Sequence, residues 1–138
     1  DPERDYNESL YEHPEGGYGF PSVAFKAAAV DACSHVANMT KVEARGAFHI
    51  NGDMVKIEGK PNPREDMVKI AMGTADIRYR GEFRKWRCSF PLRYNANVIT
   101  PEQIFNLFNT AGFAIGVGEW RPQRDGSFGM FHVATKGE

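Results

Sequence analysis

Apolar positions along this chain follow two different periods, and the changes between them mark out the expected elements. From Ser22 to about Asn38, Phe25, Ala29, Ala32, Cys33 and Val36 recur at helical spacing, with Lys26 off that stripe. This predicts an amphipathic helix capped by Ser22. Residues 44–50 and 53–57 are short apolar runs flanking Asn51-Gly52. That dipeptide suits a type I′ turn, so a hairpin is expected over 44–57. Residues 58–65 contain Gly59, Pro61 and Pro63 and read as a loop. The pentapeptide at 53–57 recurs at 66–70, which suggests two similar strands. Residues 74–83 and 85–95 read as two longer strands turning near 81–84. In the first, Ile77 and Tyr79 alternate with Arg78 and Arg80. In the second, Trp86, Cys88, Phe90 and Leu92 alternate with Arg87, Ser89, Pro91 and Arg93. Thr100-Pro101-Glu102-Gln103 combines a cap, a proline at the first helical position and a capping-box glutamine. Ile104, Leu107, Phe108 and Ala111 supply that helix's apolar stripe, and Gly112 is placed to end it. A glycine-rich loop follows, and residues 128–134 are expected to form a last strand.

With the early hairpin treated as an insertion, the order becomes αββαβ. This is a ferredoxin-like βαββαβ pattern without its first strand. The fold class expected is therefore α+β. The missing strand is expected before Asp1 or from another segment. Residues 1–20 read as an irregular acidic arm, residues 21–134 as one domain with the inserted hairpin at 44–57, and residues 135–138 as a tail.

Composition suits a packed domain. The chain has 138 residues and is 41% hydrophobic, and one core is expected at that length. Lys and Arg number 17 against 18 Asp and Glu, so only local charge distinguishes partners. The arm carries Asp1, Glu3, Asp5, Glu8, Glu12 and Glu15 against Arg4. Residues 77–93 carry Arg78, Arg80, Arg84, Lys85, Arg87 and Arg93 against Glu82. Such a basic concentration attracts phosphate. Cys33 and Cys88 form no CxxC and fit reduced thiols in a cytoplasmic setting. No apolar run is long enough to span a bilayer, so no membrane partner is expected.

His13, His35, His49 and His132 form no metal-ligand spacing, and no nucleotide-binding or nucleophile motif occurs. Neither a metal nor another cofactor is expected. Residues 116–129 stand out: Gly116, Gly118, Gly126 and Gly129 would let backbone approach an anion, Arg121 and Arg124 add charge, and Trp120 and Phe128 could stack on bases. A plain hairpin loop, with both aromatics folded on the core, explains the same residues equally well.

This loop resembles the C-terminal signature of the RAMP superfamily, the ferredoxin-like RNA-binding proteins of CRISPR systems, which reads G-G-x-x-S-R-G-F-G-R before an apolar strand. Pro21, Phe25 and Lys26 match in kind a second RAMP pattern at the first helix. Ser22, Ala27, Val30 and Met130 stand where those patterns carry glycine or arginine. The chain is also similar to tailed-phage and prophage proteins ending in GEWRP…FGxFxV. The resemblance implies that Lys26 and the glycine loop contact RNA backbone, extended by the basic strand face of Arg78, Arg80, Arg87 and Arg93. The expected function is a non-catalytic single-stranded RNA-binding module, phage-encoded. The alternatives are a phage structural, assembly or anti-defence protein that binds protein or itself, and a metal-independent endoribonuclease using His35.

Overall fold

Alanine-rich sequence and one apolar stripe make α2, Ser22–Val36, the central helix of its unit. Phe25, Ala28, Ala29, Ala32 and Cys33 are buried along it, whereas Val36 is 44% exposed. Ser22 is the first helical residue rather than a cap, and its hydroxyl is buried without a hydrogen-bond partner among the described residues. The computed structural model describes residues 2–36, 39–71, 74–119 and 121–138; at positions 2, 5, 6, 65–71 and 74–81 it describes the backbone alone.

The protein is mixed α+β with antiparallel sheets. The remaining elements are α1 (Pro2–Ser9), β1 (Tyr18–Pro21), α3 (Lys41–Ala47), β2 (Phe48–Ile50), β3 (Met54–Ala71), β4 (Thr74–Cys88), β5 (Leu92–Tyr94) and α4 (Pro101–Thr110). They divide into two units, one of residues 1–20 and 54–90, the other of residues 21–53 and 91–138. One sheet has the order β1-β3-β4, and β2 pairs with β5. The described strands therefore do not trace the expected βαββαβ order.

In the second unit, α4 and α3 pack on α2. The expected start of α4 is present: Thr100 Oγ1 accepts from the Gln103 amide at 3.1 Å, and Gln103 Oε1 accepts from the Thr100 amide at 2.9 Å. The same reciprocal cap, between Thr40 and Glu43, starts α3. Residues 44–47 are thus helical where a strand was expected. The expected hairpin over 44–57 is replaced by α3 and the short β2, which pairs with β5 in the register Phe48↔Tyr94, His49↔Arg93, Ile50↔Leu92. Asn51-Gly52 leads out of β2 with its Asn51 amide bonded to Pro91 O at 2.9 Å. Phe25, Phe48, Ile99 and Leu107 are the large buried side chains, each contributing roughly 1.5–3 kcal/mol by burial. Phe48 meets Phe108 edge-on at 5.9 Å, and Phe25 lies 5.8 Å from Phe131.

The first unit is built on one long hairpin. β3 and β4 pair from Ile57↔Cys88 to Ala71↔Thr74. The expected loop at 58–65 lies inside β3, and the expected turn at 81–84 lies inside β4. Prolines fit here because an antiparallel strand directs alternate residues' N–H groups to opposite neighbours. Pro61 and Pro63 occupy alternate positions, opposite Phe83 and Gly81. Spaced two apart, they miss donors on the same side of β3. The acidic arm also has structure: α1 packs against β4, and residues 11–20 fold back through His13 N–H to Gly17 O at 2.9 Å and Gly19 N–H to Tyr11 O at 2.9 Å.

Candidate nucleic-acid interface

Lys26 was expected on a phosphate track. Its ammonium instead donates to Arg45 O and Phe48 O, both at 2.7 Å, lies 3.0 Å from His49 Nδ1 and sits 5.4 Å above the Phe48 ring. Arg45 O and Phe48 O lie at the C-terminal end of α3, where a cation meets the outward carbonyl dipoles. Burial lowers the Lys26 pKa from its ordinary value. The geometry makes Lys26 a cap that ties α2 to α3.

The glycine loop also closes on itself. Past Thr110, α4 continues as a π-helical turn, Ala111–Ile115, so Gly112 does not end the helix. Phe131 N–H donates to Gly112 O and Val117 N–H to Gly129 O, both at 3.0 Å, and Val133 N–H donates to Asn109 Oδ1 at 2.7 Å. The expected strand at 128–134 is therefore an extended segment held by α4 and its π turn, with no strand partner among the described residues. Gly129 has φ +68°, and a Cβ there would stand 1.7 Å from Val117 O. Its requirement is close packing and not ligand access. Arg121 donates to Gly118 O at 2.9 Å, across the foot of the loop. Pro122–Arg124 forms a single 3-10 turn, and Gln123 donates to Asp31 Oδ2 at 2.9 Å. Gly116 is buried; Gly118 and Gly126 are half-buried; Arg124 and Phe128 are exposed. Trp120 and the side chains of Arg78 and Arg80 lie outside the described residues.

The basic run is distributed over both units. Arg93 stands in β5 opposite His49, whereas Arg78, Arg80 and Arg87 stand in β4. Register places Arg87 opposite Glu58, Arg78 opposite Asp66 and Arg80 opposite Arg64. Two of these positions thus face an acid directly across the ladder, where opposite charges compensate. His35 is exposed in the last turn of α2. Among the described residues, no cluster of three or more His, Cys, Asp or Glu could hold a metal ion, and no helix is long and apolar enough to cross a membrane.

Positive charge concentrates elsewhere on the hairpin. Register shifts between Gly59↔Trp86 and Pro61↔Phe83, leaving Lys60 on β3 opposite both Arg84 and Lys85 on β4. Two residues opposite one make a β-bulge. Gly59 allows it: its φ is +150°, and a Cβ would stand 2.6 Å from Lys85 O. The bulge brings Lys60, Arg84 and Lys85 together, all exposed. The Arg84 side chain is 76% exposed and forms an ion pair with Glu82 at 3.7 Å. Phe83 is anchored edge-on to Tyr18 at 5.6 Å. Just beyond, burial and then the charge of Glu58 push the Cys88 thiol up to about 11. Lys60 escapes the sequence reading because its neighbours Gly59, Pro61 and Pro63 signal a loop. The signal that finds Arg84 and Lys85 is a switch of apolar parity, from 77, 79 and 83 to 86 and 88, across two adjacent cations.

No family model, curated protein or solved structure matches this chain.

Proposed function

We propose that this protein binds single-stranded nucleic acid through the bulged base of the β3–β4 hairpin. The observation that carries this reading is the exposed trio Lys60, Arg84 and Lys85 opposite one another at the bulge, with the Glu82 carboxylate 3.7 Å from Arg84. Three cations held on a paired backbone offer phosphodiesters a preordered contact. Half-buried Trp86 and Phe83 flank the two β4 cations in the strand. Arg87 and the remaining arginines of β4 would extend the charged path.

RNA is the first ligand to test, because the RAMP resemblance implies it. The reading itself rests on charge and register and requires no ferredoxin-like topology. It assigns Lys26 and Arg121 to the fold and not to the ligand. Fluorescence anisotropy with a labelled single-stranded RNA and its DNA counterpart tests it. Binding should appear at low ionic strength and fall linearly on a log–log plot as salt rises. Absence of any salt-dependent binding to either strand would sink the proposal.

A further inference from the structure

We infer that α1 is an acidic strap that competes with nucleic acid for the basic strand β4. The inference rests on the binding role proposed for the hairpin. It starts from a contact inside one unit: α1 packs against β4. The helix brings Glu3, Asp5 and Glu8 with only Arg4 to offset them, and Glu12 and Glu15 follow at once. β4 brings Arg78, Arg80, Arg84, Lys85 and Arg87 against Asp76 and Glu82. Opposite charges of this density on packed elements are complementary, and a polyanion approaching β4 meets carboxylates already there. Glu3 and Glu8 are exposed on the helix, which leaves their charge open to solvent.

The strap is also weakly held by its own sequence. α1 has eight residues, well below the length at which an isolated helix is stable in water. It keeps its structure through the contact with β4, so a ligand that takes the contact also releases the helix. The full chain then binds nucleic acid more weakly than its cations alone would allow.

Three forms of the protein decide the matter: the full chain, a chain lacking residues 1–10, and the double variant Glu3→Gln/Glu8→Gln. The last keeps the helix and serves if the truncation perturbs the hairpin. Affinity for a labelled single-stranded RNA is measured for each at low salt. Truncation is expected to tighten binding about tenfold and the double variant about threefold, the order expected for removing a few exposed charge pairs. Equal affinity in all three overturns the strap while leaving the hairpin as the binding surface. No binding in any of the three removes the hairpin reading and the strap with it.

Discussion

Single side chains reveal how a plausible binding residue becomes a structural one. Lys26 lies off the apolar stripe of α2, a position from which a sequence reader expects a free cation. Nothing in the sequence near Lys26 shows that the carbonyls of Arg45 and Phe48, about twenty positions away, will claim its ammonium. Lys26→Met removes these charge-assisted bonds, one exposed and one part-buried, which should cost roughly 1–3 kcal/mol of unfolding free energy in a denaturant titration. RNA affinity of the folded variant should stay unchanged; a loss of salt slope would return Lys26 to the ligand. Cys88 gives a pH signature. Its thiol is raised from an ordinary 9.0 to about 11, so the unfolded chain loses that proton first as pH rises. The associated stability is complete below pH 9.0 and is lost progressively toward about pH 11. Alkylation of Cys88 in the folded protein should rise with the same high midpoint, and a midpoint near that of a free thiol would contradict the half-buried placement.

At the level of elements, legibility followed locality. The start of α4 was readable because Thr100, Pro101 and Gln103 act within one turn. The start of α3 carried the same signature in Thr40 and Glu43, but Asn51-Gly52 a few positions on drew residues 44–50 into a hairpin. Ladder partners are not local: β2 joins β5, some forty residues away in sequence. The sequence divides β4 in two because a change of alternation looks alike at a turn and at a bulge, and Gly59, Pro61 and Pro63 divide β3 because they look like a loop. A bulge flips parity without reversing the chain, and here it falls at Arg84-Lys85. The closing segment was legible as extended but not as to its partners, which are Gly112, Val117 and Asn109. Gly129→Ala checks that assignment. With φ +68° and Val117 O only 1.7 Å from the added methyl, the backbone must shift, and a loss of about 2 kcal/mol or more is expected in thermal or chemical unfolding. A neutral substitution would mean that the segment is not seated as described.

For the molecule as a whole, the sequence places the basic hairpin inside the chain of another unit. Residues 54–90 leave after β2 and return before β5, and the pairing Ile50↔Leu92 brings their entry and exit together. The sequence's candidate residues divide between the two units: Lys26, Arg93, Arg121 and Arg124 belong to one, Arg78, Arg80 and Arg87 to the other. Only the second group accompanies the bulge, and its charge was visible in the sequence while its focus at Lys60 was not. The central claim is that the bulge binds phosphate. The most direct measurement compares the salt dependence of RNA binding for the wild-type chain and for Lys60→Gln/Arg84→Gln/Lys85→Gln. Loss of three phosphate contacts should lower the magnitude of the log–log slope by about 2 and weaken binding at low salt. An unchanged slope in a variant that remains folded would contradict the account.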